Sequence, residues 1–153
     1  MKAVLLFGTF RPADGFRRVM AVFPEVVRQE PRALLVIAGT FKKGVSSVFK
    51  KDFLADIRAF PRKKHLVFIH QRIDPEALFR KATVLVVPYE AGESFEVLNT
   101  GVAHGLPWIA SDLRGFVKLA GKMKTGIIVR NDRELVNALV KTLTPFPPLP
   151  ARS

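Results

Sequence analysis

Short apolar runs of strand length alternate with longer amphipathic stretches along almost the whole chain, and that alternation leaves few folds open. Runs such as Leu34–Ala38 and Val84–Val87 are apolar at every position, so a sheet built from them has no face to turn to water. Helices must then cover both faces. This is the pattern of βα units on a parallel sheet.

Read in order, Lys2–Phe7 is a first strand ending in a turn at Gly8–Thr9. A helix follows from about Gly15, with Phe16, Val19, Met20, Phe23 and Val27 at helical spacing and Pro24 expected to kink or restart it. Ala33–Ala38 is a second strand, ending at Gly39, and Val48–Phe60 a helix stopped by Pro61. His65–Ile69 is a third strand; Asp74 then caps a helix with Pro75 in its first turn and Ala77–Ala82 continuing it. Thr83–Val87, Pro107–Ala110 and Gly126–Val129 complete a set of six strands. They are followed by helices at about Ser94–His104, Phe116–Lys122 and from a cap at Asp132 to Leu143.

The architecture expected is a Rossmann-like, doubly wound parallel six-stranded sheet in three α/β/α layers, occupying residues 1–144. Residues 145–153 hold four prolines and read as a loose tail or linker. At 153 residues there is room for one domain of this kind and not two. Sheets of this type bind ligands beyond the carboxyl ends of their strands, which selects the loops Gly8–Asp14, Gly39–Gly44, His70–Ile73 and Tyr89–Phe95.

Composition narrows the chemistry. The chain has no cysteine, which excludes disulfides and thiolate metal sites and suits a reducing cytoplasm. His65, His70 and His104 show no metal-ligand spacing and read as structural residues. No apolar run reaches the ~20 residues of a membrane span. The start, MKAVLLFG, lacks a small-residue cleavage site and is read as strand rather than signal. The net charge of +12 draws the chain to anions: nucleic acid, acidic headgroups or phosphorylated ligands. Its basic clusters carry no interleaved aromatic platform, so nucleic acid is the least favoured of the three.

The sequence has no G-x-G-x-x-G after its first strand, no P-loop lysine and no G-x-S-x-G elbow. What it has is an ordered series: LLFGTFRPADGF, ALLVIAGT, LVFIHQRIDPEALFRKATVLVVPYEAGESFEVL, AHGLPWIASDLRGF and TGIIVRNDRELVNALVKTL. From Leu5 to Leu143 this series resembles the C-terminal half of the GT-B-fold retaining glycosyltransferases, the large family of glycogen synthases and mannosyltransferases. The resemblance implies that the domain binds a nucleotide-diphosphate sugar as donor substrate and needs no further cofactor. The acceptor would be held by another domain or chain, so the isolated domain would not transfer sugar by itself. Localisation would be cytoplasmic, with the basic surface suited to an acidic membrane face.

The resemblance also assigns residues. The family's first loop commonly reads G-R-x-x-x-x-K-G, with both cations on the diphosphate; here Gly8 and Gly15 match, but Thr9 and Asp14 stand at the two cationic positions. Arg11 is the only cation within that loop and becomes the candidate to stabilise charge on the leaving phosphate. Glu93, with Ser94, Phe95, Glu96 and Val97, matches the first half of the family's paired-glutamate segment, and Glu93 is the other catalytic candidate. Thr100 stands where a second glutamate usually contacts the ribose. Gly39, Arg72 and Ile73 complete the expected donor contacts, the last two beside the base. These departures keep a second reading open, that of a non-catalytic donor domain binding a nucleotide, a partner or a polyanion. A third, motivated by +12 alone, is salt-sensitive nucleic-acid binding.

Overall fold

A computed structural model describes residues 1–92 and 95–144. The six strands are β1 (Lys2–Phe10), β2 (Ala33–Phe41), β3 (Leu66–His70), β4 (Val84–Val87), β5 (Trp108–Ser111) and β6 (Ile127–Val129). They form one sheet in the order β3-β2-β1-β4-β5-β6, every neighbouring pair parallel. The strand order reverses between β1 and β4. That gap is the topological switch point, where such sheets open a crevice.

Six helices connect the strands: α1 (Phe16–Gln29), α2 (Ser47–Ala59), α3 (Pro75–Lys81), α4 (Glu96–Ala103), α5 (Arg114–Met123) and α6 (Asp132–Leu143). Alternation along β1 shows how both faces are covered. Phe7 meets Phe79 of α3 at 5.4 Å between ring centroids, while Phe10 on the other face meets Phe16 of α1 at 6.0 Å and Phe53 of α2 at 4.8 Å. Val4, Leu5 and Leu6 are all buried, as a strand enclosed on both sides requires.

The expected helical face of α1 is buried throughout, at Phe16, Val19, Met20, Phe23 and Val27. Pro24 does not restart the helix, which runs on to Gln29. Ser46 caps α2 by accepting from the Phe49 N–H at 3.1 Å, and Asp74 caps α3 by accepting from the Glu76 N–H at 3.1 Å. The cap of α6 is Asn131 and not Asp132: its side chain accepts from the Glu134 N–H at 2.9 Å, leaving Asp132 in the first turn, where its charge suits the helix dipole. The tail at 145–153 lies outside the described residues.

All three histidines have structural partners. His65 is buried, with Nδ1 2.8 Å from the Ala33 carbonyl, and His70 stacks on Phe68. His104 lies between two acceptors, the Thr100 carbonyl at 2.8 Å and a Glu76 carboxylate oxygen at 3.0 Å. Neither can donate, so both contacts are made in full when the ring is protonated, and His104 ties α3 to α4. The Thr100 carbonyl and the Glu76 carboxylate accordingly hold its pKa above the ordinary value.

The largest departure from expectation is at the end of β1. Gly8–Thr9 is not a turn; β1 continues through both residues to Phe10, and the chain turns in a short 3-10 segment at Pro12–Asp14. Gly8 and Gly39 are register partners with φ of 142° and 149°, and a Cβ on Gly39 would stand 1.7 Å from the Gly8 carbonyl oxygen. Gly39 permits a close backbone approach of β2 to β1, and neither glycine makes a reversal. Gly39→Ala should therefore lower stability by about 2 kcal/mol or more, as overpacking against fixed backbone does. Gly121→Ala, on α5 with nothing within 4 Å of the added carbon, should be neutral or mildly stabilising. Urea midpoints of the two variants against the parent check both.

Candidate functional site at the carboxyl ends of β1 and β4

The crevice at the switch point has a volume of about 390 Å³ and mixes apolar with polar lining residues. Its floor comes from β1 and β2: Phe7, Gly8 and Thr9 on one, Gly39 and Thr40 on the other. Gln71, Arg72 and Ile73, directly after β3, form one wall; Arg11, Tyr89 and the first residues of α4, Glu96 and Val97, form the other. The fold thus brings together Gly8, Thr9, Arg11, Gly39, Arg72, Ile73, Glu96 and Val97 from four separate segments of the chain.

Other expected site residues stand apart. Phe95 packs edge-on against Phe116, 5.7 Å between centroids, and is not part of the crevice lining. Thr100 is also outside it: one turn further along α4, its hydroxyl donates to the Glu96 carbonyl at 3.0 Å. Glu93 and Ser94 lie outside the described residues. Tyr89, Gln71, Thr40 and Phe7 line the crevice without having been singled out. Their loops or strands were legible, but which side chains converge depends on the strand order.

Arg11 is held ready rather than free. Its guanidinium donates to the Ala91 carbonyl at 3.3 and 3.4 Å and to the Gly92 carbonyl at 3.4 Å, and lies 5.0 Å over the Tyr89 ring. Tyr89 is buried, and burial pushes its phenol above the usual range, so it stays a neutral O–H at ordinary pH. The loop behind Arg11 is fixed by Gly15, whose φ of 72° and contact with Pro88 admit no side chain: a Cβ would fall 1.9 Å from the Pro88 carbonyl oxygen. That contact presses the turn after β1 against the segment after β4.

Asp14 explains what became of the second cationic position. It is 2% exposed, and its carboxylate accepts from the Phe16 N–H at 2.8 Å and the Arg11 N–H at 3.0 Å. The start of α1 is therefore occupied by the chain's own carboxylate. At α4 the cap residue is Phe95, which has no side-chain acceptor to offer. Of these two helix starts beside the crevice, α4 is the one without a side-chain cap among the described residues.

Burial pushes the Asp14 carboxyl up to about 6, against the lowering effect of its two N–H donors and of the Arg11 guanidinium. Between 3.8 and about 6 the folded chain therefore binds more protons at this site than the unfolded chain, and stability falls as pH rises through that window. Asp14→Asn should remove this contribution and flatten the dependence, whatever it does to stability overall. Urea unfolding of both proteins across that pH range measures it.

Comparison with known proteins agrees with this fold. The family model described as Glycosyl transferases group 1 matches residues 1–145. No curated protein matches the sequence. Among solved structures, a UDP-forming α,α-trehalose-phosphate synthase from Burkholderia xenovorans superposes with a TM-score of 0.76 at 15% identity, over 94% of this chain and 36% of that one. WaaG, a glycosyltransferase involved in lipopolysaccharide biosynthesis, gives 0.75 at 21% identity over 94% of this chain and 38% of its own. HepE of Anabaena, solved in complex with UDP, gives 0.76 at 18% identity over 90% and 37%. At such identities the likeness is one of fold, and the chain spans little more than a third of each of these proteins.

Proposed function

The chain belongs to the group 1 glycosyltransferases, and on that premise we propose that it is the donor-binding half of a GT-B enzyme, holding a nucleotide-diphosphate sugar in the switch-point crevice. The observation that carries this reading is the crevice itself: at about 390 Å³ it sits where two βαβ halves diverge, with Arg11 and Arg72 on its walls and Glu96 at the start of α4. Two cations and one carboxylate suit a ligand with a dianionic centre and hydroxyls to one side.

In this assignment the diphosphate lies over Gly8 and Gly39, where backbone can approach it closely, and is met by the start of α4. Arg11 turns from the Ala91 and Gly92 carbonyls to the phosphates. Glu96 accepts from sugar or ribose hydroxyls, Val97 packs beside it, and Arg72 and Ile73 border the base. Glu93 and Ser94 keep the donor contact that the family pattern gives them. Transfer forms a bond from the acceptor oxygen to the anomeric carbon and breaks the bond from that carbon to phosphate oxygen. Negative charge then gathers on the departing diphosphate, and Arg11, once turned to the phosphates, stabilises it.

The acceptor belongs to a second domain or chain facing this crevice, and the reducing cytoplasm is the compartment that the cysteine-free sequence suits. Calorimetric titration with UDP, GDP and ADP and their sugar conjugates tests the donor assignment. One nucleotide should bind saturably. Arg11→Ala should weaken it about tenfold, the scale of one hydrogen bond to a charged group, and Glu96→Gln should weaken the sugar nucleotide. Absence of saturable binding by any of the three would overturn the assignment.

A further inference from the structure

The net charge is not spread evenly. Between Lys42 and Lys64 the chain carries eight lysines and arginines against two aspartates, a surplus of six and half of the net +12. This stretch is α2 with the loops at its two ends. The helix packs inward through Phe49 and Phe53, the latter against Phe10, Phe41 and Phe68, so its outer side is left to solvent. Lys42, Lys43, Lys50, Lys51, Arg58 and Lys64 are all exposed there. Of the two aspartates, Asp56 is taken up by Arg17 of α1, which leaves Asp52 as the other acid on this face.

Two further observations decide what such a face fits. The aromatic residues of the stretch, Phe49, Phe53 and Phe60, are all buried, so no ring stands out on which a nucleobase could stack. In the first turn of α2, Val48 is 67% exposed, and Lys51 stands one turn on from it. An apolar side chain at the tip of a basic helix, flanked by long lysine stems, matches the boundary between headgroups and acyl chains.

We propose that the outer face of α2 with its flanking loops docks onto an anionic lipid bilayer. The attraction is carried by the lysines and arginines, each worth about fivefold in binding near an acidic leaflet, and Val48 enters the headgroup layer. The docking face starts beside the crevice, since Lys42 follows Thr40, a crevice residue, by two positions. It shares no residue with the crevice, so the two proposals fail or stand separately.

Co-sedimentation of the whole chain with vesicles tests it. Binding is expected to vesicles of mixed phosphatidylglycerol and phosphatidylcholine, with little to phosphatidylcholine alone, and should weaken steeply with added salt. Replacing Lys50, Lys51, Arg58 and Lys64 by Gln should lower vesicle affinity more than tenfold, and Val48→Asp should lower it further at constant salt. Lys118→Gln with Lys122→Gln, on α5, should leave it near the parent value. Circular dichroism verifies that each variant is folded, and nucleotide binding in the crevice should be unchanged. The proposal is overturned if anionic vesicles do not bind, if the α5 pair weakens binding as much as the α2 set, or if single-stranded or duplex nucleic acid binds the α2 face more tightly than the vesicles do.

Discussion

Two backbones in contact define the centre of this molecule. At Gly8 and Gly39 the adjacent strands β1 and β2 come so close that a single methyl group would collide with a carbonyl oxygen. A second contact, between Gly15 and the Pro88 carbonyl, brings the turn after β1 against the segment after β4. These approaches set the depth of the crevice and the position of everything on its rim. Side chains of any size at these glycines would fill the floor or pry the loops apart, and the strand order would then enclose no usable space.

On that frame the charges are arranged sparingly. The buried Asp14 carboxylate secures the turn that carries Arg11, and in doing so it occupies the start of α1. Arg11 leans on carbonyl oxygens and on the Tyr89 ring, partners that hold its position without neutralising it. The crevice therefore keeps its positive charge although one neighbouring group is an acid.

The interior of the fold was legible because it is written in long, redundant signals. Six apolar runs and the helical spacing of Phe16, Val19, Met20, Phe23 and Val27 each depend on many residues pointing the same way. Errors fell where one residue has two physical uses. Glycine at position 8 fits a reversal by type, yet it sits within a continuous strand, where its positive φ of 142° suits a residue without a side chain. Asn131 and Asp132 are both good caps, and only the backbone decides between them. In the crevice, Gly8, Arg11, Gly39, Arg72 and Glu96 were reachable from loop position and family pattern, whereas Tyr89 and Gln71 became visible only once the strand order was known. Thr100, placed by its spacing along the sequence, lies one helical turn beyond Glu96 and outside the crevice lining, with its hydroxyl on the Glu96 carbonyl.

The strand order also governs how this domain must be assembled in time. The central strand, β1, is the first to be synthesised, and β2 joins it after one helix, but its other neighbour, β4, begins 74 positions after Phe10. At ribosomal rates of roughly 5–20 residues per second, one edge of this apolar strand waits about 4–15 seconds for its partner. During that interval an unpaired, hydrophobic edge is available to any other nascent chain. Cellular yield of this domain would then be governed by shielding of that edge during synthesis, a kinetic hazard that the finished sheet, with β1 enclosed at its middle, no longer displays.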